Sequence, residues 1–243
     1  MINNKNTMMK LLLISNSASP GEKYLEKPGA DIAHHLEGAT ERVLFIPFAA
    51  VTYSFDEYVS KVNTALAPYS ISVKGINSYQ DPIKAIMEAT AIVVGGGNTF
   101  QLLKMIQEQG LLHPIRERVR AGIPYIGWSA GSNIAAPTLC TTNDMPIVDP
   151  LSFEALSFVP FQINPHYLDS HPADHGGETR EQRILEYIEA NPEKYVIGLR
   201  EGCRLFLENG TLRMVGSKPA RIFRKGCEIQ ELTSEADFNF LLS

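Results

Sequence analysis

Gly127-Trp128-Ser129-Ala130-Gly131 sets a serine between glycines in the pattern G-x-S-x-G. Upstream, Ile123-Pro124-Tyr125-Ile126 is a short apolar run that reads as a buried strand; downstream, Ser132-Asn133-Ile134-Ala135-Ala136 is compatible with a helix start. A serine on a strand-to-helix turn is lifted out of the sheet, and flanking glycines relieve the crowding of the sharp bend. Backbone N–H groups at the helix start can then hold an oxyanion. The chemistry this arrangement suits is nucleophilic attack on a carbonyl. A plain Gly/Ser turn accounts for the glycines but not for the strand and helix that flank them.

A serine hydroxyl needs an adjacent base at neutral pH. Of six histidines, His34, His35 and His113 fall in or beside helical segments and read as surface residues. His166 follows the apolar Phe161-Gln162-Ile163-Asn164, at a strand end, where α/β enzymes place catalytic groups; it is the candidate base. His171 and His175 share a polar loop with Asp169 and Asp174. The spacing of His166, His171, Asp174 and His175 matches no zinc pattern, so no metal site is expected. Two carboxylates could orient His166. Asp144 lies in the loop Thr141 to Pro146, and Glu201 follows the strand Val196 to Leu199. Either could hold the imidazole in its productive tautomer, or merely cap loop N–H groups.

Gly95-Gly96-Gly97-Asn98-Thr99 is a second glycine-rich strand-to-helix turn. It fits neither nucleotide-binding glycine pattern. Beside a serine elbow, such a loop supplies an oxyanion N–H; Gly97 is the candidate donor, together with Ala130, and Asn98 is expected to place its side-chain amide in the site.

The elements needed to position these groups can be read along the chain. Strands are expected at Lys10–Ser15, Arg42–Phe48, Ser70–Gly75, Ala91–Val94 and into the elbow. Helices are expected at Ala30–Leu36, Ser54–Leu66, Asp81–Ala89, Thr99 to about Gln107, and Pro114–Arg120. Ser54 and Asp81 act as N-caps, with Pro82 at a first helical position. Strands that are apolar throughout, rather than alternating, argue for a parallel sheet covered on both faces. Beyond Phe153 come a helix over Glu178–Ala190, a strand over Tyr195–Leu199, a hairpin turning at Asn209-Gly210, and a second hairpin around Gly226. The expected fold is α/β, a mainly parallel sheet with helices on both faces and antiparallel strands at the C-terminal edge. One domain is expected over 1–243, with residues 1–8 a flexible extension.

The 243 residues can bury a full core. A net charge of −5 gives no basic surface for nucleic acid, and no apolar run reaches the roughly 18 residues of a membrane span. Cys140, Cys203 and Cys227 are too irregularly spaced for a disulfide framework or a zinc knuckle, and Leu11–Ile14 is too short for a signal peptide; a cytoplasmic setting is expected.

The chain resembles serine peptidase family S51, which includes aspartyl dipeptidases and cyanophycinases. The resemblance rests on Ile14–Ser17, Phe45–Ala49, Val93–Leu103, Tyr125–Gly131, Thr141–Pro150, Gln162–His166 and Gly177–Arg183. It implies a flavodoxin-like sheet related to class I glutamine amidotransferases. It also implies metal-free hydrolysis of small Asp-Xaa dipeptides; no cofactor is expected, and a monomer or homodimer is the expected state. Ser129 matches the family's serine and His166 its histidine, while both Asp144 and Glu201 fall at positions assigned to the third member. A basic residue must read the substrate aspartate; Arg180 and Arg183 are available, and the resemblance favours Arg180. The alternatives are a cyanophycinase-like enzyme or esterase of the same fold, and, from another class, a glutaminase-like or sensor module. A serine rather than cysteine at position 129 argues against the glutaminase-like reading.

Overall fold

The computed structural model describes residues 9–169 and 176–243. The extension through Met8 lies outside them, as do His171, Asp174 and His175. Eleven strands are present among the described residues: β1 (Lys10–Ile14), β2 (Val43–Ile46), β3 (Val73–Gly75), β4 (Ala91–Val94), β5 (Pro124–Trp128), β6 (Gln162–Tyr167), β7 (Val196–Arg200), β8 (Arg204–Glu208), β9 (Thr211–Val215), β10 (Ala220–Phe223) and β11 (Gln230–Leu232). The helices are α1 (Gly29–His35), α2 (Phe55–Leu66), α3 (Pro82–Glu88), α4 (Thr99–Glu108), α5 (Leu112–Arg120), α6 (Ala130–Asn133) and α7 (Arg180–Ala190).

The first sheet runs β3-β2-β4-β5-β1-β8-β9. Its first five strands are parallel, and β8 and β9 close it antiparallel. Along β1, Leu11 and Leu13 join the core on one face while Leu12 and Ile14 join the core on the other. Period-2 alternation therefore buries all of Leu11 to Ile14, which is why this run reads as continuously apolar. The strands β6 and β7 do not extend this sheet. They form a second one, ordered β11-β10-β7-β6, in which only β6 and β7 are parallel. The sequence pattern does not separate two sheets, because pairing is long-range. One core joins them: Leu13 of β1 belongs to the same apolar cluster as Ile163 of β6 and Ile197 of β7.

Local chemistry sets the helix starts. Ser54 Oγ accepts the Glu57 N–H at 3.2 Å and Glu57 Oε2 accepts the Ser54 N–H at 2.7 Å, a full capping box. Asp81 caps α3 ahead of Pro82. Thr179 and Gln182 form a second box, so α7 begins at Arg180 rather than at Glu178. Ile184 and Ile188, one turn apart, bury its inner face, each contributing roughly 1.5–3 kcal/mol. The strand expected from Ser70 starts only at Val73, because Ser70 adopts φ 56° and closes the short helix before it. In the first hairpin Asn209 (φ 52°) and Gly210 (φ 75°) both take the left-handed region, as its turn requires.

Candidate active site

Because β1, β4 and β5 are parallel, the segments leaving their carboxyl ends come together at one edge. Ser129 leaves β5 there with φ 53° and ψ −113°, an unfavourable conformation for a residue with a side chain. The glycines around it are required by proximity. A Cβ on Gly127 would sit 2.4 Å from Gly131 O, one on Gly131 2.4 Å from Val94 O, and one on Gly96 2.9 Å from Ser129 Cβ. Tyr58 ties the two turns together, accepting the Trp128 indole N–H at 3.1 Å and donating to Gly96 O at 2.9 Å. The helix after Ser129 is the single turn α6, starting at Ala130 rather than Ser132. Any oxyanion stabilisation here rests on individual N–H groups and not on a long helix dipole. Among the described residues, no acceptor takes the Ala130 or the Gly97 N–H, whereas the Ser129 N–H is held by Ile14 O at 3.0 Å.

His166 and Glu201 come from the second sheet. Parallel pairing of β6 and β7 points both strand ends the same way, and Tyr167 stands opposite Arg200, the residue before Glu201. The ladder is broken between Asn164 and Tyr167. Pro165 has no N–H to give, and His166 adopts φ 53°. This bulge turns the imidazole toward Ser129: His166 Nε2 lies 3.1 Å from Ser129 Oγ, and His166 Nδ1 lies 2.7 Å from Glu201 Oε1. A carboxylate on Nδ1 fixes the tautomer that leaves Nε2 able to take a proton from the serine. The line Ser129–His166–Glu201 is therefore able to perform acyl transfer.

Asp144 is close by but engaged elsewhere. Its Oδ2 accepts the Thr99 N–H at 2.7 Å and the Thr99 hydroxyl at 2.6 Å, at the start of α4. The loop that carries it is fastened to β6 by side-chain amides. Asn143 Nδ2 donates to Pro165 O, and Asn164 Nδ2 donates to Asn143 Oδ1 and Thr141 O, each at 2.8 Å. Asn98 is the N-cap of α4: its Oδ1 accepts the Gln101 N–H at 3.0 Å and its Nδ2 donates to Met145 O at 2.9 Å, so both ends of the amide are engaged.

A cavity of about 280 Å³ opens over Ser129, lined also by Ala130, Asp144, His166, Leu168, Arg180 and Glu201. Larger hollows beside Tyr24 and beside Arg213 include neither Ser129 nor His166. Arg180 Nη1 is buried without a hydrogen-bond partner. Burial pushes this guanidinium below its ordinary pKa, opposed by Glu201 and by Asp144 and reinforced by Arg183. A guanidinium stays charged under such pressure, so a half-buried one with an unpartnered, buried nitrogen at a cavity is suited to an incoming anion. Arg183 points elsewhere, with two-thirds of its side chain exposed and Glu178 3.8 Å away. Among the described residues no cluster of three or more His, Cys, Asp or Glu side chains could hold a metal ion, and no helix is long and apolar enough to cross a membrane.

Residues 11–215, the whole stretch that builds this site, match the model of peptidase family S51. The chain belongs to that family. Peptidase E of Escherichia coli (strain K12 / DH10B) is 50% identical over 220 residues, covering 90% of this chain and 96% of the relative. Peptidase E of Salmonella newport (strain SL254) is 51% identical over the same length and coverage. A peptidase structure from an acI-B1 actinobacterium superposes with a TM-score of 0.71 at 17% identity, covering 96% of this chain and 98% of the other. A structure from Listeria monocytogenes EGD-e named for peptidase E gives 0.60 at 22% identity, covering 89% and 98%. The two structures share the fold, and the S51 membership makes this chain a serine peptidase.

Proposed function

We propose that this S51 peptidase hydrolyses dipeptides with an N-terminal aspartate, through a Ser129–His166–Glu201 triad and an acyl-enzyme. The observation that carries the specificity is the unpartnered, buried Arg180 nitrogen in the cavity that also holds Ser129 and His166. Ser129 Oγ attacks the peptide carbonyl while His166 Nε2 takes its proton, and the Gly97 and Ala130 N–H groups hold the oxyanion. The protonated imidazole, stabilised by Glu201, returns that proton to the leaving amine as the C–N bond breaks. Water, deprotonated by the same nitrogen, then releases free aspartate and restores Ser129. Arg180 pairs with the substrate β-carboxylate; this gives the aspartyl side chain a partner in place of the water it leaves behind.

Glu201 rather than Asp144 takes the third place in this reading, because only Glu201 is within hydrogen-bond distance of the imidazole. Asp144 supports the site by holding the loop after Thr141 to the start of α4, and Asn98 does the same through Met145. The test is a panel of Xaa-Leu dipeptides, with a p-nitrophenyl ester alongside, followed by amine or phenolate release from the wild type and Ser129→Ala. Asp-Leu should be the preferred substrate and Ser129→Ala should lose several orders of magnitude in kcat. Equal turnover of Asp-Leu and Ala-Leu, or a preference for the ester, would remove the dipeptidase reading. Retention of more than about a tenth of activity in Ser129→Ala would remove the serine from the nucleophile's role.

A further inference from the structure

The three segments that carry Ser129, His166 and Glu201 come from two sheets, yet each is hydrogen-bonded to one tripeptide at the end of β1. Ile14 O accepts the Ser129 N–H at 3.0 Å and the Ser132 hydroxyl at 2.7 Å. Asn16 Oδ1 accepts the N–H of Gly202, the residue after Glu201, at 2.7 Å. Ser15, between them, has no exposed surface. Its N–H donates to Cys203 O at 3.0 Å, its hydroxyl donates to Leu199 O at 2.7 Å, and the same oxygen accepts the His166 N–H at 2.9 Å.

The last bond is the informative one. The bulge at Pro165 breaks the β6–β7 ladder where His166 sits, and His166 is held at φ 53°. A backbone in that region persists only where its surroundings over-determine it. The bond from its own N–H is supplied by a side chain of the first sheet, the sheet that carries Ser129. Losing the Ser15 hydroxyl would remove the acceptor of the His166 N–H and a donor to the Leu199 carbonyl, and a small rotation at His166 would move Nε2 away from Ser129.

We propose that Ser15 is the positioning residue of His166, setting the imidazole against Ser129 and Glu201 through a hydrogen bond between the sheets. The proposal rests on the triad reading above. Because Ser15 touches no substrate, its loss is read in kcat and not in KM. Ser15→Ala should lower kcat for Asp-Leu about 10- to 100-fold, keep KM within about threefold, and slow labelling by a fluorophosphonate in proportion to kcat. Ser15→Thr and Ser15→Val, alike in volume and differing in the hydroxyl, separate bonding from packing: the threonine variant should exceed the valine variant at least tenfold in kcat.

Wild-type kcat in Ser15→Ala, a loss confined to KM, or equal rates for the Thr and Val variants would overturn the proposal. Failure of all three variants to fold, judged by circular dichroism, would assign Ser15 to the fold alone and overturn it too. Failure of the underlying triad shows itself separately, since Ser129→Ala would then go on hydrolysing Asp-Leu.

Discussion

Replacing Glu201 and Asp144 by their amides, one at a time, separates two carboxylates that face the same cavity. Glu201→Gln keeps the side-chain shape but can present an N–H to His166 Nδ1, favouring the tautomer with its proton on Nε2, where the serine's proton must go. Replacing a buried triad carboxylate in this way costs about 10⁴ in rate. Here 28% of the Glu201 side chain and 36% of the His166 side chain are exposed, so water screens part of the interaction. A loss of about 10³ in kcat follows, or about 4 kcal/mol of transition-state stabilisation. Asp144→Asn removes instead a charge beside Thr99, the first residue of α4, and weakens the two hydrogen bonds from Thr99. Such a change costs roughly 1–2 kcal/mol of stability and lowers Tm by a few degrees in a chain this long. Its kcat should fall less than tenfold. The assay is initial-rate hydrolysis of Asp-Leu at saturation, with urea unfolding of each variant. A larger kcat loss in Asp144→Asn than in Glu201→Gln would refute the reasoning, because it would place the orienting charge on the residue that does not touch the imidazole.

Arg180→Ala should reduce kcat/KM for Asp-Leu by about 30-fold to several thousandfold, through a lost contact worth roughly 2–5 kcal/mol. It should also shrink the Asp-Leu over Asn-Leu preference, with Arg180→Lys recovering only part; an unchanged Asp/Asn ratio would move specificity elsewhere. His35, which the sequence places at the surface, instead has no exposed side-chain surface, and burial lowers its pKa from 6.5 to about 4 despite Glu208 Oε1 at 3.1 Å. Between those values the unfolded chain binds a proton the folded chain does not. Stability present above pH 6.5 should therefore be lost on acidification toward pH 4, by up to about 3 kcal/mol. Urea midpoints of the wild type and His35→Gln at pH 7 and 4.5 check this, and equal pH sensitivity would count against it. Gly97 sits at φ 136°, and a Cβ there would lie 2.2 Å from Ala49 O. Gly97→Ala should thus cost roughly 2–4 kcal/mol in urea unfolding and most of the activity; a fully stable variant would mean that the loop can rearrange.

The elbow and the glycine loop were legible because each is local: a strand, a turn whose glycines answer to contacts within a few ångströms, and a helix. Caps at Ser54 and Asp81 and the Asn209-Gly210 turn were legible for the same reason. Between Asp144, in a longer loop, and Glu201, at a strand end, the sequence leans only slightly toward Glu201, because the difference lies in which strands pair. Glu201 reaches His166 because β6 and β7 are parallel neighbours; Asp144 faces Thr99 because the Asn143 and Asn164 amides fasten its loop across β6. Nor does any spacing tell that Asn98 caps α4 with one end of its amide and holds Met145 with the other. The division into two sheets was hidden because apolar runs report burial and not partners. Pro165 just before His166 was the available hint of a bulge.

Two of the groups proposed for chemistry, Ser129 and His166, sit on left-handed backbone, and they come from different sheets. Strain of that kind relaxes unless rigid neighbours oppose it. The parts that oppose it here are buried: the end of β1, whose backbone and Ser15 hydroxyl accept from both segments, and Tyr58, which clamps the glycine turn to Trp128. The proposed selection of the substrate's charge is placed differently. Arg180 is the first residue of α7, fixed by the Thr179–Gln182 capping box on a helix that packs through Ile184 and Ile188. In the proposed reading the end of β1 holds the catalytic geometry and the α7 cap holds the charge-recognising arginine, while α7 itself packs on Tyr167 beside His166. Substitutions in the α7 cap should accordingly disturb KM and the Asp/Asn preference, while substitutions at the end of β1 disturb kcat.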